Sequence, residues 1–597
     1  MAKYVFITYF NEQPQQIVKD NLQKVCDRLT PIEIKPYVKH TIFKSAFSKN
    51  TFIAAQNDEI IKDTSFVEMG KVYSETNEYK SVGKDVPDGS YAFIRFNENN
   101  LEFFCDSFGS RTLWYYYDSE KIILSTSQRA ITMLKGTYKV EKSTLSWFLS
   151  SGTQGVFSSW DSNIKMVLPR TLYNFNFSNW NLTEKDKCDN NYEIESNFSF
   201  KEIKEKFTSE LVKNIVSSLD RNNPKEILLP LSGGNDSRLL LYLTEKYPNL
   251  STVDLINWGV PSDGSVFNDK VASRKIAHCY KRKYLDIVIP SEVEDKDKLL
   301  HDFVLHSEGR IDHFNAYTDS FKFWSGLTQK GYKVVVRGDI PFTEGLDLNN
   351  IMARTHTGIN KFTDYENYED YDLNGFFDLQ KDPANLNKKN RESYLQWRDR
   401  LYVSLRIPVV ISTFNDITAS YMESRSPIMS GKLFHLYSTL EDRKKGNKKI
   451  IVDLSKQLDK SGVSFAASPS IPNQANIFKN DTGIKFLKDY LEQLSGNKHF
   501  SSSLIASVQD KLEKLELKPN GSNTFVSKFQ ILLSENLPMR VKAYLKSKKK
   551  LHLDPITIAY RLVMVDKILK MYQNDSRYLY GIKNDTIGEV PLKSLKG

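Results

Sequence analysis

The hydrophobic pattern of the chain changes period near residue 200. Before it, short runs rich in β-branched and aromatic residues recur at close spacing: VFITYF (5–10), SYAFIRF (90–96), LEFFC (101–105), LWYYY (113–117) and KIILSTS (121–127). Turn signals separate them, among them Pro87-Asp88-Gly89 and the stretch 97–100. Closely spaced runs of this kind predict antiparallel strands. The polar stretch DKCDNNYEIESN (186–197) predicts a linker. Apolar residues then recur at helical spacing over 200–219, and strand-like and helix-like segments alternate: EILLPL (226–231), RLLLYLTEKY (238–247), TVDLINW (252–258), a helical segment at 268–283, YLDIVI (284–289) and KVVVRG (333–338). Such alternation predicts βαβ units around a parallel sheet, with ligands at the carboxyl ends of the strands. From about 395 onward the pattern is mainly helical, and RIPVVI (406–411) reads as core. The expectation is an α+β domain over 1–190 and an α/β domain over 200–597 with a largely helical carboxyl-terminal part.

A length of 597 residues fits two or more domains, and 40% apolar with 26% charged residues fits a globular, not a disordered, chain. The balance of 83 basic against 73 acidic residues is spread along the sequence, which argues against a nucleic-acid partner. KSKKK (546–550) reads as a solvated surface. Cys26, Cys105, Cys188 and Cys279 stand far apart and predict buried, reduced thiols, not a disulfide framework or a zinc site. No apolar run nears the ~20 residues that span a bilayer. The expectation is a soluble, cytoplasmic protein without a membrane partner.

Candidate chemistry gathers in ILLPLSGGNDSRLLLYL (227–243), where an apolar strand runs through Leu231-Ser232-Gly233-Gly234-Asn235-Asp236-Ser237 into an apolar-periodic helix. The glycine pair admits close approach of an anion and torsions other residues resist. The free N–H groups and dipole of the helix start favour negative charge, Ser232 and Ser237 add hydroxyl donors, and Asp236 is a hard ligand suited to Mg²⁺. Together they read as a phosphate cradle. It is not a Walker A loop, because no G-x-x-x-x-G-K-[ST] is present. Asn257, Trp258 and Gly259 end the next strand, where adenine or ribose sits if the switch-point rule holds; Trp258 as a core residue is the other reading.

The segment resembles the S-G-G-x-D-S pyrophosphate loop of the PP-loop ATP pyrophosphatases. The chain as a whole resembles the asparagine synthetase family, with a glutaminase-like domain of Ntn-hydrolase type followed by a PP-loop synthetase domain. Asp106, Phe108, Gly109, Arg111 and Leu113 match an Asp-x-Phe-Gly-x-Arg-x-Leu core, and 150–170 resembles the segment that closes the first domain. Stretch 422–437 is similar to the Glu-x-Arg-x-Pro segment and 447–454 to the Lys-x-Ile-Leu segment. The resemblance implies ATP and Mg²⁺, adenylation of a carboxylate with release of pyrophosphate, and attack by an amine. It implies small-molecule or peptide substrates and allows a homodimer. It assigns Lys448 as the cation facing the developing charge, with Lys449 and Lys444 as alternatives, and gives Glu423 and Arg425 either a substrate-orienting role or a structural ion pair.

Two departures stand out. Glutamine-hydrolysing members carry Cys at position 2, where this chain has Ala2, so Asp106 and Arg111 read as structural relics and the expected branch is that of β-lactam synthetase and the lasso-peptide cyclases. The second phosphate loop, S-G-x-G-x-D-E in the family, is VVVRGDIPFTEG (334–345) here. Gly338 matches its first glycine; Asp339 or Glu344 is either a second Mg²⁺ carboxylate or a plain loop acid; and Arg337 either binds phosphate or pairs with one of them. The expected activity is AMP-forming amide ligation. An asparagine synthetase fed by ammonia and a non-catalytic nucleotide-binding paralogue are the alternatives.

Overall fold

The computed structural model describes residues 3–46, 50–56, 60–63, 65–74, 76–186, 198–219, 223–247, 252–260, 268–342, 349–373, 375–380, 386–445, 448–464, 471, 473–515, 539–548 and 550–581. The molecule is a mixed α/β structure with two antiparallel sheets, one parallel sheet and many helices.

The first antiparallel sheet runs, in spatial order, Lys165–Met166, Trp114–Tyr117, Lys121–Ser125, Tyr4–Tyr9, Thr51–Ala55 and Thr41–Lys44. The second runs Asn181–Asp186, Thr171–Asn176, Asn100–Cys105, Gly89–Phe96, Phe66–Val72 and Ile61–Lys62. Period-two alternation sorts their side chains. Tyr4, Phe6 and Ile53 of the first sheet meet Met69, Ile94 and Phe103 of the second in one core, while Val5, Ile7 and Phe52 face the opposite way. That outer face is covered by helices Gln15–Leu29 and Gln128–Lys135. These helices supply the α part of the α+β arrangement expected for the region, although the sequence pattern marks only its strands. The first is strongly polar, yet it buries Val18, Leu22, Val25 and Leu29 at helical spacing.

Residues 227–425 build a five-stranded parallel sheet in the spatial order Tyr284–Val288, Asp254–Gly259, Ile227–Pro230, Val334–Val336 and Glu423–Arg425. In chain order this is 3-2-1-4-5, a doubly wound arrangement whose direction reverses between the first and fourth strands. Both faces are buried, since Ile227, Leu229 and Leu255 enter one core and Leu228, Ile256 and Val335 the other. The carboxyl-terminal part is helical as expected, ending in Pro555–Arg577, which is buried along most of its length.

Several expectations change here. The fifth strand, Glu423–Arg425, falls in the stretch expected to be helical. Ile407–Val410 of RIPVVI are buried, but the stretch lies in a π-helix over Tyr402–Ile411, where Pro408 has no N–H to give to a regular α-helical ladder. Cys26 and Cys105 are buried free thiols, whereas Cys279 is exposed at the end of helix Asp269–Cys279. Cys188, the rest of the expected linker from 187 and Glu344 lie outside the described residues. Among the described residues no helix is long and apolar enough to cross a membrane.

Candidate functional site

The site is built where the sheet order reverses. Strand Ile227–Pro230 ends at a proline, and Leu231 continues the sheet by donating its N–H to Ile256 O at 2.8 Å. Asn257 Nδ2 donates to the Leu231 carbonyl at 2.7 Å, so the neighbouring strand fixes the start of the turn. The turn then closes on itself. Ser232 N–H donates to Ser237 Oγ at 3.0 Å, the two serine hydroxyls lie 3.0 Å apart, and Gly234 N–H donates to Ser232 Oγ at 3.1 Å. Gly233 N–H is taken by Asp269 Oδ1 at 2.8 Å.

The amides at 232–234 are therefore used within the protein. What faces an incoming anion is the first turn of helix Asn235–Thr244, whose N-cap Gly234 provides no side-chain cap, together with the two hydroxyls. The role expected for the glycines is corrected in one respect. Neither takes a left-handed torsion, and Gly234 is extended at φ −86° and ψ 166°. Its contribution is space: it is exposed, and a Cβ there would stand 3.3 Å from Ser232 Oγ.

The fourth strand delivers the second loop against the first. A Cβ on Gly338 would lie 3.1 Å from both the Asp236 carbonyl carbon and the Ser237 nitrogen, so the loops touch and only glycine fits without displacement. Arg337 pairs with Asp339, Nε to Oδ2 at 2.8 Å and Nη2 to Oδ1 at 3.1 Å. Ser426 Oγ donates to the same carboxylate at 3.3 Å, and Arg337 N–H donates to Arg425 O at 2.8 Å.

A third element closes the cluster. Lys448 Nζ donates to Asp236 Oδ2 at 2.9 Å, both groups being partly screened from solvent. Of the alternatives, Lys449 lies over the Phe200 ring at 5.6 Å and Lys444 pairs with Glu441 at 3.7 Å. Lys448 caps helix Lys449–Leu458 in the left-handed conformation, φ 51° and ψ 42°, which costs a lysine about 1–3 kcal/mol. Sequence reasoning missed Tyr402. Burial raises its hydroxyl pKa above the ordinary value, and the charges of Arg406, Asp339, Lys448 and Asp236 all act on it. It missed Asp269 and Ser426 as well; nothing local in the sequence points to any of the three.

Glu423 is fully buried and ion-paired with Arg111, while Arg425 Nη1 donates to Ser218 O at 2.6 Å. Trp258 packs between Phe323 and Trp324, at 5.6 and 5.5 Å, and Gly259 accepts a backbone hydrogen bond from Ile289 at 3.1 Å. Asp106 holds its own loop, accepting from Ser110 Oγ at 2.8 Å and from the N–H groups of Phe108 and Tyr91. Burial pushes its carboxyl up to about 6 against these hydrogen bonds.

No group of three or more His, Cys, Asp or Glu gathers into a metal cage among the described residues. Asp236 and Asp339 stand on loops in direct contact, and each carboxylate carries a cationic partner, Lys448 and Arg337.

No protein-family model matches the chain, and no curated protein matches it. Among solved structures, it is similar to the glutamine phosphoribosylpyrophosphate amidotransferase from B. subtilis complexed with ADP and GMP, at 10% identity over 47% of this chain and a TM-score of 0.20. The match spans 65% of that chain's length, and likeness at this level assigns neither fold nor activity to the present one.

Proposed function

We propose that the chain is an ATP-dependent, AMP-forming ligase that adenylates a substrate carboxylate and couples it to an amine. In this reading 1–190 is an Ntn-hydrolase-like domain and 200–597 a PP-loop synthetase domain. The observation that carries it is the meeting of three elements at the sheet's switch point: the uncapped helix start after Ser232–Gly234, the Gly338 loop against it, and Lys448 on Asp236.

A carboxylate does not condense with an amine in water, because its oxygen is a poor leaving group. Attack on the α-phosphorus of ATP joins that oxygen to AMP and releases pyrophosphate; the amine then attacks the acyl carbon and AMP departs. The helix start and the hydroxyls of Ser232 and Ser237 hold the diphosphate. Lys448 turns from Asp236 to the charge that builds on the phosphates. Asp236 and Asp339 would hold Mg²⁺, which supplies charge neutralisation between phosphate oxygens when bound.

Exchange of labelled pyrophosphate into ATP, stimulated by a panel of carboxylates, tests this directly. Stimulated exchange by one carboxylate class is the expected result; a folded chain that binds ATP yet exchanges with none is the non-catalytic paralogue. Aspartate with ammonium yielding asparagine would move the reading to asparagine synthetase. A second expectation follows from the loop contact. Gly338→Ala forces the two loops apart and weakens ATP binding about ten-fold, the 1.4 kcal/mol equivalent of a small overpacking strain, as read by calorimetric titration.

A further inference from the structure

Buried guanidinium groups elsewhere in this chain are held by carboxylates, as in Arg95–Glu102, Arg310–Asp416 and Arg561–Asp312, or by backbone carbonyls, as in Arg238 and Arg425. Arg406 is different. It is half-buried, yet it makes no ion pair and no hydrogen bond among the described residues. It stands on the π-helix Tyr402–Ile411, one turn beyond Tyr402 and on the same side. The π segment is ten residues long and contains Pro408.

Space is kept open for this side chain. Gly358 ends helix Asn350–Thr357 at φ 73°, and a Cβ there would lie 2.6 Å from Arg406 Nη1. Glycine is thus required at 358 twice, by its torsion and by the guanidinium beside it. The pairing of the neighbouring charges gives this meaning. Asp236 pairs with Lys448 and Asp339 with Arg337. Arg406, one helical turn from Tyr402, on which the charges of Asp236, Asp339 and Lys448 also act, is held by no carboxylate among the described residues.

We infer that Arg406 is an anion-binding residue of the nucleotide site, donating to phosphate oxygens. The inference rests on the ligase reading and deepens it. A phosphate is the better partner than the carboxylate to be activated. A guanidinium on the attacking carboxylate would blunt its nucleophilicity, whereas on a phosphate it neutralises charge that grows as pyrophosphate leaves. A planar guanidinium also matches two phosphate oxygens at once, which a lysine does not.

The test is calorimetric titration of the full chain with magnesium pyrophosphate and with ATP, in wild type, Arg406→Met and Arg406→Lys. Methionine keeps an unbranched stem and removes the charge. The expected result is binding in wild type, a loss of about 10- to 100-fold in Arg406→Met, the range of a hydrogen bond to a charged group, and a smaller loss in Arg406→Lys. Melting curves establish that the variants are folded; should Arg406→Met melt early, Arg406→Gln takes its place under the same criteria. Undiminished binding of both probes in the charge-free variant overturns the assignment alone. A wild type that binds neither probe overturns the ligase reading, and the assignment with it.

Discussion

Lys448→Asn is expected to slow pyrophosphate–ATP exchange about 100-fold or more while leaving the chain as stable as wild type, or slightly more so. The kinetic part follows from the position of Nζ, 2.9 Å from Asp236 at the mouth of the turn, where a cation faces the phosphate charge that grows in the transition state. Removing one preorganised donor of that kind costs about 2.7–4 kcal/mol of barrier. The stability part follows from the backbone. Lys448 occupies φ 51°, a torsion asparagine adopts more readily than lysine, so this substitution removes the charge without adding strain. Alanine would confuse the two effects. ATP affinity should fall less than the exchange rate, because the ion pair with Asp236 must be given up before Lys448 reaches a phosphate. An exchange rate within a few-fold of wild type would leave Lys448 as a structural partner of Asp236 and nothing more.

The parts of this molecule that could be read from the sequence are those encoded over a few residues. The strands of the parallel sheet showed as apolar runs, and the turn after Leu231 showed because a strand, two glycines and an apolar-periodic helix follow one another within seventeen residues of a single stretch. Glu423–Arg425 did not, since three residues with two charges carry no strand signal; it is a strand because Val334–Val336 pairs with it across the sheet. Asp339 and Arg337 showed as loop residues, their pairing being one of the two readings open for Arg337; the Ser426 hydroxyl that also donates to Asp339 did not show, since it directly follows that unpredicted strand. Tyr402 and Arg406 sit in a stretch whose aliphatic residues and proline read as plain core. Their relation to Asp236 and Lys448 is a product of packing between segments more than 160 residues apart from the turn, and no local pattern records it.

The second large effect concerns the buried ion pair between Arg111 and Glu423, one of several contacts between the amino-terminal part and the rest of the chain. Arg111→Met should lower stability by about 3–5 kcal/mol, the cost of stranding one member of a buried ion pair. Glu423 is fully buried and Arg111 is 1% exposed, so neither charge can be rehydrated where it stands. The pair is also incompletely satisfied: Arg111 Nε and Nη1 and Glu423 Oε2 are buried without hydrogen-bond partners. An apolar pair of similar volume should therefore do as well, and Arg111→Met combined with Glu423→Leu is expected to recover most of the urea midpoint lost by the single change. The double variant separates the two readings of Glu423. If its stability returns and pyrophosphate exchange returns with it, the carboxylate holds Arg111 and takes no part in the chemistry. If stability returns while exchange stays abolished, Glu423 acts on the substrate, and the buried pair seen here must open for turnover.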